Sequence, residues 1–436
     1  MILDKLVING LFGHFNHSVK FKEGNVTIIT APNGYGKTVC LKIIDAIFKK
    51  KLTFLCELQF SEVMLYTSEG TISIKKNHEK KPNSINLRHS KVRKSFDYST
   101  DYEFSKPSRL SPRAISNAFP FLDRVGPGEW EDHFDGEILS YRDIIQKYQD
   151  KLPNGLSIDE YPGWYRDFCS KLSTHFIQDQ RLIQRQDYSS HRSSKGGFVD
   201  TIEKYADELS ELIKISGNSS SAISQQLDTT FPVRLLRRDI NFRSLSKDEL
   251  KDKLQALQEK REKLSSFNLL MSEQHLPELD VFNDIKEEDT KVLTLYVTDT
   301  TNKLSAYDAI YNQIEIFSKI LNNKRLSFKK VKIDSKKGFY FETDDGRPLK
   351  LTQLSAGEQH QVVLLFELAF KTKPNVLVLI DEPEISLHVA WQKEFLFDLQ
   401  ELIKIQDMPV VIATHSPQII GNNWDLTVDL EQEEIL

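Results

Sequence analysis

Two strand-then-turn patterns stand at opposite ends of this chain, and neither is long enough to bury itself. Near the start, VTIIT (Val26–Thr30) runs into APNGYGKT (Ala31–Thr38) and then into the helical stretch VCLKIIDAIFKKK. Near the end, LSAGEQ (Leu354–Gln359) opens a nearly all-apolar helical pattern at Val362–Phe370, and VLVLIDEPE (Val376–Glu384) comes after it. A further helical pattern from His388 to about Lys404 then leads into PVVIATHSP (Pro409–Pro417). Short apolar runs without alternation belong to strands covered on both faces, and alternation of strand and helix places such strands in a parallel sheet. The terminal segments therefore have to meet in one α/β fold split by the chain between them. That intervening chain, from Lys37 to Ser355, is far longer than a compact domain needs between two of its own motifs, so it is an insertion.

At 436 residues the chain can hold roughly two to three ordinary domains. With 39% hydrophobic and 28% charged residues it can bury a core and keep a solvated surface. A net charge of −5 argues against a protein that coats nucleic acid with its whole surface, and leaves room for a local basic patch. Cys40, Cys56 and Cys169 are widely spaced with no CxxC pair, so they are expected as reduced thiols rather than a disulfide frame or a zinc site. MILDKLVINGLF alternates where a signal peptide would place a basic end and an apolar run, and no stretch approaches the roughly 18 apolar residues of a membrane span. The expectation is a cytoplasmic protein with no membrane partner.

Five segments are expected. Residues 1–74 form the first part of the α/β head: strands at Leu6–Ile8, at Val19 and Phe21 and at VTIIT, the loop and its helix, then strands through Phe60–Ile74 with a turn at Ser68-Glu69-Gly70. Lys49–Lys51 end that helix where positive charge suits its dipole. Residues 75–171 are polar and loop-rich, with compact turns at GPGEW (Gly126–Trp130) and YPGWY (Tyr161–Tyr165), and read as an insertion capping the sheet. Residues 172–197 return to the head through THFIQDQRL (Thr174–Leu182). Residues 198–323 are mainly helical: Leu250, Leu254, Leu257 and Leu264 share one helix face, and Leu304, Tyr307, Tyr311 and Ile314 repeat the spacing on a second. With HLPELD (His275–Asp280) between them they describe a short coiled-coil arm or an ordinary helical subdomain. Residues 324–436 are the last part of the head, entered by a hairpin turning at Lys336-Lys337-Gly338.

The chemistry is concentrated in the motifs. In APNGYGKT the backbone N–H groups and the following helix N-terminus make a cradle for a polyphosphate, with Asn33 in the loop and Gly34 and Gly36 permitting the tight backbone. Lys37 would reach the β and γ oxygens of ATP, and the Thr38 hydroxyl would bind Mg²⁺. Ala31 stands where the GxxxxGK[ST] pattern has its first glycine, a departure that alanine tolerates if the position does not need a positive φ. In VLVLIDEP, Asp381 ends a buried strand where it can hold the Mg²⁺ shell, and Glu382 is placed to orient or deprotonate an attacking water. Two consecutive carboxylates at the end of an interior strand would be poor structure without a metal. In LSAGEQ, Ser355 and Gly357 open a helix that can receive an anion, while Ser355 and Glu358 also match a capping box; both readings can hold together.

Taken together, APNGYGKT, LSAGEQ, IDEPEISLH and THSP resemble the RecF/SMC/OLD-like branch of ABC-type ATPases. The resemblance covers roughly the first 75 and the last 110 residues closely, and the middle only in architecture. It implies a split ABC-type P-loop ATPase head with a long helical insertion, binding ATP and Mg²⁺ and hydrolysing ATP slowly, as a switch. It further implies that Ser355, Gly357 and Glu358 close on the γ-phosphate held by a second protomer, in a homodimer or higher homo-oligomer. By the same resemblance His415 is the switch histidine that contacts the γ-phosphate, and Ser386-Leu387-His388 is the loop through which two sites sense each other. Gln180, with Gln178 as the second choice, would serve Mg²⁺ and the water. Few residues come after His415, so the nuclease domain of OLD-type members is not expected here.

An ATPase without its own effector is similar to the ATPase subunits of two-component anti-phage systems, the PARIS-like ones in size and layout. That resemblance implies a sensor and scaffold holding a separate nuclease- or toxin-type effector, with a phage protein as trigger. The alternative is a RecF-like DNA-binding ATPase of DNA repair. Lys75, Lys76, Lys80, Lys81, Arg88, Lys91, Arg93 and Lys94 stand against Glu79 alone, a run that allows contact with nucleic acid, although a solvated loop is its commoner origin. A transporter head is disfavoured by the long insertion.

Overall fold

The helix after the glycine-rich loop organises the head. In the computed structural model it spans Lys37–Phe48, and Cys40, Leu41, Ile43, Ile44, Ala46, Ile47 and Phe48 are each 5% exposed or less. A helix apolar over most of its circumference, with only Lys42 turned to solvent, has to be covered on more than one side. Here two sheets do so, sharing one buried cluster with it: Ile8, Leu65, Ile74 and Leu87 from one sheet, Leu377, Leu379, Val411 and Ala413 from the other. Each leucine, isoleucine, valine or phenylalanine among them contributes about 1.5–3 kcal/mol when withdrawn from water. The structure describes residues 1–77, 83–99, 115–116, 119, 122–132, 138–140, 144, 161–178, 183–185, 198–236, 244–270, 286, 289–323, 326, 328–385 and 387–431. Their contacts divide the chain into two units, Met1–Val199 with Lys371–Leu436, and Asp200–Phe370.

The first sheet is antiparallel, in the order Phe15–Lys20, Leu3–Leu11, Glu62–Thr67, Gly70–Lys76, Ser84–His89, Phe96–Ser99. The second is parallel, in the order Ser173–Ile177, Val376–Asp381, Val410–Thr414, Val26–Thr30, Thr427–Asp429. The head is thus a mixed α/β fold, as expected, assembled from segments far apart in sequence. The opening hairpin, however, does not share a sheet with Val26–Thr30. The reason lies in the side chains: Val26–Ile29 are buried without a break, as an interior parallel strand requires, whereas Phe15–Lys20 alternates buried and exposed positions.

The aromatic turn at Tyr161–Tyr165 departs from expectation. Pro162 is the N-cap of a helix, Gly163–Ser170, whose Tyr165, Phe168 and Cys169 enter the head core. Proline and glycine start helices as readily as they make turns, so the dipeptide alone does not decide. This helix satisfies carbonyls at the C-terminal end of Lys37–Phe48: Tyr165 Oη donates to Ile47 O at 2.7 Å, and Tyr161 Oη to Lys50 O at 2.8 Å. Lys49 and Lys51, expected to complement the helix dipole, instead lie 2.8 and 3.6 Å from the carboxylate of buried Asp45, which also accepts from Thr174 Oγ1 at 2.7 Å. Tyr165→Phe should lower unfolding free energy by about 1 kcal/mol, because Ile47 O loses its shortest donor and keeps only Cys169 Sγ at 3.3 Å and Lys50 N at 3.4 Å. Denaturant midpoints of the two proteins check this; equal midpoints would show the bond contributes nothing.

The second unit contains the helices Thr201–Leu236, Lys247–Ser266, Thr290–Ser305 and Asp308–Asn322, a three-stranded antiparallel sheet (Lys329–Asp334, Gly338–Thr343, Pro348–Leu349), and the helix Ala356–Phe366. Leu250, Leu254, Leu257 and Leu264 form the buried face of Lys247–Ser266, which opens on a capping box between Ser246 and Glu249. The stripe from Leu304 to Ile314 is divided between two helices, since the chain breaks at Ala306 and Tyr307 becomes the N-cap of the next. The helical spacing continues across the break, so periodicity could not reveal it. Thr290–Ser305 packs against both Thr201–Leu236 and Lys247–Ser266. Arg234, in the last turn of the long helix, holds Asp299 with both terminal nitrogens at 2.6 and 2.7 Å. Tyr205, Phe317, Phe339 and Phe366 form an aromatic core beneath the hairpin, in which Tyr205 stacks on Phe366 at 4.5 Å. No helix among the described residues is long and apolar enough to cross a membrane.

Candidate active site at the strand ends of the parallel sheet

Parallel strands deliver the residues after them to one edge of the sheet, and open α/β sheets bind ligands there. Register aligns three ends in this one: Thr30 pairs with Thr414, and Ala413 with Asp381. The glycine-rich loop, Asp381-Glu382 and His415 therefore meet at one edge, although the chain separates them widely.

The loop has the conformation its sequence implies. Gly34 and Gly36 both hold φ at 89°, in the left-handed region, which lets successive N–H groups line a concavity. A Cβ built on Gly36 would come within 2.8 Å of Leu11 Cδ2, so this position requires glycine twice over. Ala31 has no positive φ, which explains why alanine serves where the pattern carries glycine. Gly36 is also the N-cap of Lys37–Phe48 and offers no side chain to the free N–H groups of the first turn. An anion fits that terminus.

Lys37 is 5% exposed and folds back across the loop, its Nζ 2.9 Å from Ala31 O, 3.3 Å from Pro32 O and 3.5 Å from Asn33 Oδ1. Glu382 Oε1 lies 3.9 Å from the same ammonium. Thr38 Oγ1 donates to Asp381 Oδ1 at 2.9 Å, joining the loop to the neighbouring carboxylate strand end. A hydroxyl and a carboxylate so joined are the oxygen donors that Mg²⁺ prefers, and the loop has the concave backbone that suits a phosphate, so these residues fit MgATP.

Glu382 sits at φ 44°, a conformation that costs a non-glycine residue of order 1–3 kcal/mol and that clusters at functional sites. Its own N–H holds the bend by donating to Ala413 O at 2.9 Å. The carboxylate Oε2 lies 2.9 Å from His415 Nδ1. Glu384 Oε1 lies 3.2 Å from the same nitrogen, so Glu382, Glu384 and His415 form one cluster in which a proton on Nδ1 would serve both carboxylates.

Sequence reasoning passed over two contributors. Glu384, 7% exposed, accepts from Thr414 Oγ1 at 2.5 Å and from His415 N at 2.9 Å, fixing the backbone that presents His415. The signal for it was the second glutamate of DEPE, two residues beyond Glu382. His17 is the other. Its Nε2 donates to Tyr35 O, inside the glycine-rich loop, at 2.8 Å, and Phe15 packs on the Tyr35 ring at 5.1 Å. Burial holds the His17 imidazole below its ordinary pKa, so it is neutral, and the bond to Tyr35 O places its proton on Nε2. Nothing in the local sequence marks a histidine on a hairpin as a loop anchor. His17→Ala should raise the Kd for ATP several-fold, about 1 kcal/mol for one hydrogen bond lost at a binding loop, while far-UV circular dichroism stays unchanged. Unaltered affinity would make His17 a packing residue only.

Gln180 and Ser386 lie outside the described residues; Gln178 is described, exposed, and directly follows Ile177, which pairs with Ile380. Ser355, Gly357 and Glu358 belong to the other unit, where Ser355 caps Ala356–Phe366 and forms a full capping box with Glu358. In the described part of the basic run Lys91, Arg93 and Lys94 are exposed, and three others have partners within the protein. Lys75 lies 3.4 Å from Glu62, Lys76 donates to Cys56 O and lies over the Phe60 ring, and Arg88 Nε donates to Asn86.

Comparison with known proteins decides the family. The family model described as an AAA ATPase domain, AAA_15, matches residues 1–420. The chain belongs to that family. It is therefore an ATPase of the AAA_15 type, and MgATP is the ligand such a domain implies for the edge just described. Among solved structures, an Smc head bound to the C-winged helix domain of ScpA is 13% identical, with TM-score 0.37, over 97% of this chain and 92% of that one. An Smc head with an extended coiled coil, bound to the C-terminal domain of ScpA derived from Pyrococcus furiosus, is 15% identical, with TM-score 0.36 over 97% and 91%. The SMC head domain from Thermotoga maritima is 14% identical, with TM-score 0.31 over 96% and 91%.

Proposed function

We propose that this AAA_15 ATPase is a slow ATP switch in which two heads close face to face on two nucleotides and part after hydrolysis. The observation that carries the reading is the convergence of Lys37, Thr38, Asp381, Glu382 and His415 at one sheet edge. Asn33, Gly34, Gly36 and Lys37 hold the phosphates; Thr38 and Asp381, with Gln180, hold Mg²⁺. The cation, when bound, neutralises phosphate oxygens and so lowers the charge the attacking water meets. Glu382 takes the proton of that water as the bond to the γ-phosphorus forms and the bond to the β,γ-bridging oxygen breaks, leaving ADP and phosphate. His415, its Nδ1 proton shared between two carboxylates, orients Glu382 and turns its other edge to the γ-phosphate. The N-terminus of Ala356–Phe366, with Ser355, Gly357 and the capping partner Glu358, completes the partner head's site.

The wider role rests on the motif set. ATP-closed heads hold a separate nuclease- or toxin-type effector and release it on meeting a phage protein, as in anti-phage defence. Lys76, held by Cys56 O and the Phe60 ring, is withdrawn from the basic run, while Lys91, Arg93 and Lys94 stay exposed, so a DNA-gripping repair ATPase is the second reading. The test is affinity capture of the Glu382→Gln protein expressed with its genomic neighbours, measuring mass and nucleic-acid content. A stoichiometric second protein supports the effector role; DNA alone would replace it with the repair reading.

A further inference from the structure

The helix that would meet a partner's phosphate carries an acid where an anion has to arrive. Glu358 stands in the first turn of Ala356–Phe366, and its Oε2 accepts from Ser355 N at 2.8 Å and from Ser355 Oγ at 3.0 Å. Both the negative charge and the engaged Ser355 hydroxyl oppose binding of a terminal phosphate at this terminus. The structure supplies a countercharge. Lys329, the first residue of the strand Lys329–Asp334, places Nζ 2.6 Å from Glu358 Oε1 and 2.8 Å from Oε2. The two side chains are only 23% and 16% exposed, so solvent screens the pair weakly. Burial alone would raise the Glu358 pKa, yet the bonds from Lys329 and Ser355 hold it below the usual carboxylate range. Glu358 therefore remains ionised and paired at neutral pH.

Lys329 is itself held in place. The hairpin pairs it with Thr343, and Phe328, at φ 60°, accepts from Asp344 N at 3.1 Å on the residue before. That anchoring sets the ammonium against the carboxylate rather than leaving a flexible chain to find it.

We infer that Lys329 is a positioning residue of the ATP-closed state, cancelling the charge of Glu358 so that the terminal phosphate of a nucleoside triphosphate on a second copy of this chain can dock at Ser355 and Gly357. This inference rests on the head-to-head reading. Lys329 acts through Glu358, and that dependence separates it from a lysine touching the nucleotide. Lys329→Met keeps the stem and removes the charge; Glu358→Gln removes the acid and keeps a residue that capping boxes accept.

The experiment is a double-mutant cycle in the Glu382→Gln background, reading ATP-dependent dimerisation by analytical ultracentrifugation at fixed salt. Lys329→Met should weaken ATP-driven pairing by about tenfold, the order expected when an anion site in a weakly screened position loses its countercharge. In the presence of Glu358→Gln the same substitution should change pairing by less than about twofold. Binding of ATP to the isolated head should be the same in all four proteins, which a folding defect would not allow. An undiminished penalty in the Glu358→Gln protein would show direct contact with nucleotide or partner and overturn the inference. So would the absence of any penalty. If Glu382→Gln alone fails to pair with ATP, the head-to-head reading falls and takes this inference with it.

Discussion

Glu382→Gln should bind ATP with near-normal affinity and turn it over about 10²–10³-fold more slowly, accumulating as an ATP-bound dimer. The substitution removes the proton acceptor and little else. The amide keeps the length of the side chain and can still lie beside His415 Nδ1 through its carbonyl oxygen. The backbone at φ 44° remains tied to Ala413 O. Loss of the carboxylate also frees the Lys37 ammonium, now 3.9 Å from it, for phosphate oxygens, which offsets any cost to binding. Single-turnover hydrolysis and a nucleotide titration separate the two effects. Normal turnover would remove Glu382 as the base and turn attention to Glu384, whose carboxylate reaches the same histidine.

Lys37→Met should weaken ATP binding by at least about 10²-fold with little change in melting temperature. Hydrogen bonds from a charged donor contribute about 1.5–3 kcal/mol each, and a lysine in a phosphate loop serves more than one oxygen. Methionine fills most of the same buried space, so the head core should survive. The carbonyls of Ala31 and Pro32 lose a donor, which predicts a looser loop as well as a missing charge. Isothermal titration with ATP, set beside a thermal melt, distinguishes the binding defect from unfolding. Affinity within a few-fold of wild type would take Lys37 out of the nucleotide site.

Legibility in the sequence tracked the physical range of each interaction. The loop Ala31–Thr38 could be read because its conformation is local: two glycines at φ 89°, a helix N-terminus and a lysine within one turn. Asp381 could be read because an acid closing the run VLVLI has no other good reason to be there. The Leu250-to-Leu264 stripe was visible in the same way. Glu384 was half visible, by its place in DEPE. His17, Tyr165 and Lys329 were not, since each acts on a backbone or side chain brought close only by folding. The helix at Gly163–Ser170 reads as a turn in sequence because Pro-Gly opens both. The helix break at Ala306 was hidden because the apolar spacing runs straight through it.

The sequence by itself determined the glycine-rich loop and the paired acids with the parallel strands that carry them, and the self-capped helix at Ser355, because propensity, pattern and capping act within a few residues. The motifs already assign lysine, hydroxyl, acids and histidine to one site; only tertiary structure decided how they meet. The register of Thr30 with Thr414 and of Ala413 with Asp381 brings lysine, hydroxyl, carboxylates and imidazole to one edge. The hairpin strand beginning at Lys329 meets Glu358 for the same kind of reason. Backbone hydrogen bonds join any two strands alike, and the apolar pattern of a strand buried on both faces is the same along its length, so the partner and the exact register come only with the assembled sheet.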